Sequence, residues 1–196
     1  DVDFAPNGNF FVVVTTGAYR ADRLCDTVTR WETNRTGTQV ETWSDYTGGD
    51  TSWAVEVTGP VVYVGGHMRW FNNPYRADAA GPGAVPRSGM AALDSRNGLP
   101  FSWNPGRARG VGLYDFDVTN SQVWAGSDTN KWAGETRPRL AGFPFDSDAT
   151  PLPADKVATL PADVVLLDSP AGGVSQEIRN FNGSAILGSA TVPAAD

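Results

Sequence analysis

The chain has one cysteine, Cys25, and one histidine, His67, among 196 residues. A single cysteine excludes an intrachain disulfide framework, and one Cys with one His excludes a zinc site of the usual ligand set within the chain. Cys25 has no histidine close by in sequence, so a packed thiol rather than a nucleophile is expected of it. A Ser/His/Asp triad would have to run through His67, but the Gly-x-Ser-x-Gly elbow is missing, as are phosphate loops and dinucleotide fingerprints. No apolar run approaches the ~18 residues that cross a bilayer, so no membrane insertion is expected. Lys and Arg form no block under a net charge of −7, which argues against a nucleic-acid partner, because phosphate binding draws on clustered cations. The acidic balance suits an exported protein that stays in solution.

Charged residues are only 19% of the chain, against 22 Gly and 14 Pro, a composition for many short strands joined by turns. The strands recur. Phe10-Phe11-Val12-Val13-Val14-Thr15-Thr16-Gly17, Val61-Val62-Tyr63-Val64-Gly65-Gly66 and Gln122-Val123-Trp124-Ala125-Gly126-Ser127 are apolar runs closed by small residues. Ahead of them stand Asp1-Val2-Asp3-Phe4, Trp53-Ala54-Val55-Glu56-Val57 and Tyr114-Asp115-Phe116-Asp117-Val118, whose alternation predicts half-buried strands joined to the next by tight turns. Behind them come Thr27 to Trp31, Met90 to Asp94 and Leu140 to Phe143, and then an outer strand ending in Trp43 and in Trp103. Each unit is four short antiparallel strands, and the fold class expected is all-β, about three β-propeller blades. The blades are expected near 1–48, 49–108 and 109–160. Intervals between Val13, Tyr63 and Trp124 are unequal while the strands are equal, so the length difference lies in loops. The longest runs from His67 to Ser88 without periodicity.

Pro144 to Pro161 reads as a linker or an irregular last strand. Val164 to Asp168 is an expected strand, and Asn182-Gly183 marks a hairpin turn between two more. Residues 161–196 are therefore expected to close the sheet or to open a following module. Three blades are fewer than a closed propeller needs, and the sequence opens at Asp1 with no basic or apolar leader. A processed or excised piece of a larger propeller is expected.

The runs Asp1 to Gly8, Phe11 to Tyr19 and Tyr63-Val64-Gly65-Gly66-His67-Met68-Arg69-Trp70-Phe71-Asn72-Asn73-Pro74, with Gly89 to Asn104 and Val123 to Phe145, resemble a known family. It is the kelch-like propeller, with YVGG-type repeats, of large secreted modular proteins of high-GC bacteria. The resemblance implies the fold, a secreted or cell-surface location, and partners in the remaining blades or modules of a longer parent. It implies no catalytic residue.

His67, Arg69, Trp70, Asn72, Asn73, Tyr75 and Arg76 combine aromatic faces with amide and guanidinium donors, the groups that stack on sugar rings and bind their hydroxyls. The same residues also suit packing of the loop onto its blade, with Trp70 as anchor. Trp132, in a polar loop, is expected to be exposed and joins the candidate ligand contacts. Trp31, Trp43 and Trp103 are expected in the core between blades. Asp3, Asp115 and Asp117 fall on or beside the innermost strands, where a channel would gather acids, or serve as strand-end hydrogen-bond acceptors. The run Ser44 to Trp53 has the residues of a sialidase Asp-box turn at the wrong spacing. Asp146-Ser147-Asp148 lacks the closing Glu of a regular calcium loop, so no cofactor is expected and structural calcium has no motif behind it.

The function expected is a non-catalytic extracellular binding module whose ligand is a glycan or a protein. Two alternatives stay open. One is a glycoside hydrolase or lyase using the channel carboxylates; the other is an assembly protein that docks another chain through an open propeller edge.

Overall fold

The structure, a computed structural model, describes residues 1–18, 23–74, 79–107 and 112–145, together with the backbone of two strands at 175–179 and 186–191. Among the described residues the fold is all-β, without a helix. The first sheet is antiparallel and four-stranded, in the order β1 (Val2–Phe4), β2 (Phe10–Val14), β3 (Thr27–Glu32), β4 (Trp43–Tyr46). The second joins β5 (Ser52–Val57), β6 (Val61–Gly66) and β9 (Met90–Asp94), and a ribbon of β7 (Trp70–Phe71) and β8 (Val85–Pro86) lies between β6 and β9 in sequence. The third repeats this plan with β10 (Leu113–Val118), β11 (Gln122–Ser127) and β14 (Leu140–Pro144), interrupted by the ribbon of β12 (Lys131–Trp132) and β13 (Glu135–Thr136). A separate antiparallel pair, β15 (Ser175–Arg179) and β16 (Ile186–Thr191), flanks the expected hairpin turn. The expected strand Val164 to Asp168 and the Asp146 to Asp148 segment lie outside the described residues.

The alternation read in the sequence becomes two usable faces on each sheet. The face of the first sheet that carries Phe10, Val12, Val14, Val28 and Trp43 packs on Val55, Val57, Val62, Val64, Ala91 and Leu93 of the second. The opposite face of the second sheet, with Ala54, Val61, Tyr63, Met90 and Ala92, packs on Leu113, Phe116, Val123, Ala125, Ala141 and Phe143 of the third. Buried valines and leucines are worth about 1.5–3 kcal/mol each, so these two layers are the main source of stability. The first strands lie side by side: Val55 N–H donates to Asp1 Oδ2 at 3.2 Å and Val57 N–H to Asp3 Oδ2 at 2.7 Å.

Trp43 is 1% exposed and Trp103 5%, in the core as expected. The indole N–H of Trp43 donates to Ser95 O at 2.8 Å, and Arg30 Nη1 donates to the same carbonyl at 2.7 Å. Trp31 is not in this core: it is only partly buried, because its register with Phe11 and Phe4 puts it on the face of the first sheet opposite to that of Val28 and Trp43. Two further details differ from expectation. Trp43 opens β4 rather than ending it. The second sheet has three regular strands, because its fourth is only begun: Asp94 N–H donates to Leu99 O and Phe101 N–H to Ala92 O, both at 2.8 Å. Pro100 stands opposite Leu93 between these two bonds, where its nitrogen faces away from the ladder, a position on an edge that tolerates proline. Any fourth strand of the third sheet falls outside the described residues.

Candidate functional site

The His67 to Ser88 loop does not stand away from the molecule. Trp70 and Phe71 pair with Pro86 and Val85 in the β7–β8 ribbon, and Phe71 is fully buried. Asn72 takes a left-handed conformation with φ 50°, and its N–H donates to Asp45 Oδ1 at 2.5 Å. Its side-chain amide donates to Gly83 O at 2.9 Å. Asn73 N–H donates to Tyr46 O, while its buried amide donates to Ala79 O and accepts from Gly81 N–H. Both asparagines thus fasten the loop to β4 of the first sheet. Asp45 is buried, and burial holds its carboxyl well above the usual range against the opposing bonds from Asn72 and Tyr46 N–H.

His67, Arg69 and Trp70 gather on the other side of the loop. Arg69 binds Asp50 through two bonds, Nε to Oδ2 at 2.7 Å and Nη2 to Oδ1 at 3.2 Å, and its guanidinium lies 4.6 Å from the centre of the Trp70 ring. His67 Nε2 stands 3.9 Å from Asp50 Oδ1. Tyr75 and Arg76 lie outside the described residues. Trp132 departs from expectation. It is 0% exposed and packs its ring 6.0 Å from Phe143, because the β12–β13 ribbon folds back on the third sheet and turns the indole inward. A ligand cannot reach it there.

Two aromatic residues that sequence reasoning left out complete this end of the molecule. The β5–β6 ladder slips between Ser52 and Ala54, and the β10–β11 ladder slips between Leu113 and Asp115. A bulge re-aims the side chain that it releases from the ladder. The released residues are Trp53 and Tyr114, at matching places in successive sheets. Their rings stack, 5.5 Å between centres and 10° between planes, and His67 lies 5.0 Å from Trp53 on a tilted plane. Tyr114 is 49% exposed, so the stack offers solvent an aromatic face. Gly112 allows it, since a Cβ at that position would run into the Trp53 ring. Asp128 Oδ1 accepts from Gly112 N–H at 3.1 Å and stands 3.8 Å from the buried Arg107. The shelf therefore sits between two ion pairs, Asp50 with Arg69 and Asp128 with Arg107.

Asp26 is buried in a left-handed turn with φ 53° and accepts from the Thr51 hydroxyl at 3.3 Å. Burial raises its carboxyl, the Thr51 and Gly17 hydrogen bonds oppose this, and Asp50 nearby adds to the rise. Cys25 is free and partly buried. Among the described residues no group of three His, Cys, Asp or Glu side chains is arranged to hold a metal ion.

A second cluster lies along the first strands. Strand registers put Asp3, Glu56 and Asp117 opposite Val12, Tyr63 and Trp124, at equivalent positions of three sheets. Glu56, which the sequence reading passed over, is pushed up to about 7, first by burial and then by the fields of Asp3, Asp117 and Asp115. The fields at Glu56 thus come from acids of the neighbouring first strands, and Asp3 among them serves as the expected strand hydrogen-bond acceptor, from Val57 and Phe4 N–H. The chain matches no protein-family model, no curated protein and no solved structure.

Proposed function

We propose that the three sheets are successive blades of a β-propeller, and that the chain is a non-catalytic binding module, secreted or on the cell surface, for a glycan or a protein. The propeller reading is supported by one strand order repeated in face-to-face succession with the first strands adjacent. The binding reading is carried by the Trp53–Tyr114 stack. A flat, half-exposed aromatic face held between fixed charged groups suits a sugar ring, whose C–H face stacks while its hydroxyls take the flanking donors and acceptors. Here His67, Arg69 and Asp50 are those groups, so the favoured contact moves from the body of the loop to its first residues.

A glycan array probed with the labelled chain, followed by fluorescence titration of each hit, tests this. Affinity that falls at least tenfold in Tyr114→Ala supports the assignment. Binding that is indifferent to Tyr114 places the ligand elsewhere, and an array without hits leaves a protein as the ligand class.

One observation favours a second reading, a glycoside hydrolase or lyase. Glu56, held protonated to about pH 7 beside the carboxylates of Asp3, Asp115 and Asp117, is the pairing of acid and base that glycosidic cleavage uses. Release of nitrophenol from aryl glycosides by the wild type, abolished in Glu56→Gln, would establish it. Equal rates in both would remove it.

A further inference from the structure

The two layers between the sheets are built alike. In each, the face of one sheet that bears the forward-pointing residues of its first strand packs on the apolar back of the next sheet. This leaves two faces without a counterpart among the described residues, save that β16 comes close to β4, at the edge of the first sheet opposite Val2 and Phe4. One is the back of the first sheet. Register places Val2 with Val13, and Phe4 with Phe11 and Trp31, on that side. Val2 is 50% exposed and Phe4 56%. Its equivalent on the second sheet, Val55, Val57, Val62 and Val64, is buried under the first sheet. The other is the forward face of the third sheet, where Asp115 and Asp117 lie with Trp124, Gly142 and Leu140, and Leu140 is 56% exposed.

We propose that these two faces bind each other between two copies of this chain, head to tail. The proposal rests on reading the sheets as successive blades. What names the occupant is the layer that the chain already contains. Asp1 and Asp3 reach from the first sheet to accept Val55 and Val57 N–H. By register, Asp115 and Asp117 are the third-sheet counterparts of Asp1 and Asp3, and Val2 and Phe4 are the first-sheet counterparts of Val55 and Val57. In the single chain, Val2 and Phe4 N–H turn instead to the carboxylates of Asp1 and Asp3 beside them, both at 2.8 Å. In the pair, Asp115 of one copy accepts Val2 N–H of the other and Asp117 accepts Phe4 N–H, while Trp124 and Leu140 cover Phe4, Phe11 and Trp31. Such a contact joins unlike faces, so two copies make it twice if the rotation closes. An exposed apolar sheet face with strand edges beside it is otherwise an aggregation hazard.

Light scattering after size exclusion, over a concentration series of the full chain, tests this. The mass of two chains is expected, with Phe4→Asp and Leu140→Asp each weakening association at least tenfold. A mixture of the two variants recovers a two-chain species, because each retains the face that the other has lost. Val2→Glu repeats the first block at a second exposed position, should Phe4→Asp fail to fold. A wild type that stays a single chain at all concentrations overturns the proposal. So does a Leu140→Asp variant that pairs as well as the wild type, since the contact would then be back to back. Asp3→Asn separates this from the blade reading: its loss of stability in the single chain reports the internal layer, whatever the state of association.

Discussion

Trp53 and Tyr114 are the bulged residues of equivalent strands, and they stack on each other across the boundary between two sheets, their planes 10° apart. Had both strands kept their regular ladders, the residues at these positions would have followed the in-and-out alternation of the sheet. The bulges take them out of it and turn both rings to the same end of the molecule.

The two rings should separate in their effects. Tyr114 is half-exposed and caps the stack, so Tyr114→Ala is expected to shift the thermal midpoint by no more than about 2 °C, a cost under about 1 kcal/mol. On the proposed binding reading, its effect is expected in ligand affinity. Trp53 lies between Tyr114, His67 and the backbone of Gly112, so Trp53→Ala is expected to cost about 2–4 kcal/mol of stability as well. Paired thermal melts and ligand titrations check this, and equal stability losses in the two variants would contradict it.

Tyr63 is fully buried, edge-on to Trp103 at 5.4 Å, and its hydroxyl has no hydrogen-bond partner among the described residues. Burial raises its pKa accordingly. A buried hydroxyl without a partner costs about 1–3 kcal/mol, whereas the ring contributes to the core. Tyr63→Phe is therefore expected to leave stability unchanged or raise it by about 1 kcal/mol. Urea denaturation reads this directly, and a loss above about 1 kcal/mol would mean that the hydroxyl is satisfied.

Much of the fold was legible because the chain writes it more than once. Val12, Tyr63 and Val123 sit in apolar runs that recur between turns and alternating strands, and the structure makes strands of all three. Trp132 was misread because its neighbours Asp128 to Lys131 are polar, and local composition cannot show that a short ribbon folds back on Phe143. Glu56 was passed over because its own strand gives no hint of acidity. Only the stacking of sheets brings it level with Asp3 and Asp117. Trp53 and Tyr114 did stand at matching places in the repeat, and a large aromatic at the start of the first strand in the second and third units was the available signal. The bulge that makes a pair of them is a property of ladder pairing, which one strand does not encode.

Gly98 has φ 76°, and a Cβ there would lie 2.5 Å from the Trp43 ring. Alanine would meet both the strain of a left-handed backbone, about 1 kcal/mol, and a clash with a fully buried indole. Gly98→Ala is expected to lose about 2–4 kcal/mol. Trp43→Leu also destabilises, but it removes the clash, so the double variant should be more stable than the sum of the two losses predicts. Strict additivity in denaturant midpoints would show that backbone strain alone carries the cost.

Glu56 makes stability depend on pH in a stated direction. Its carboxyl is raised from 4.5 in a free chain to about 7 in the fold, so the folded state holds the proton more tightly than the unfolded one. Linkage then requires stability to fall as pH rises from about 4.5 through about 7, and the cost to be complete above that. Solvent screening reduces the cost to about 1–2 kcal/mol. Glu56→Gln cannot ionise, so it is expected to match the wild type near pH 4.5 and to exceed it by that amount near pH 8. Asp26 and Asp45 are raised as well and give slopes of the same sign; they remain in the variant, so the difference between the two proteins isolates Glu56. Thermal melts of both across this range are the measurement. A constant difference at every pH would mean that Glu56 contributes packing and no titration, and the acid–base reading of the cluster would go with it.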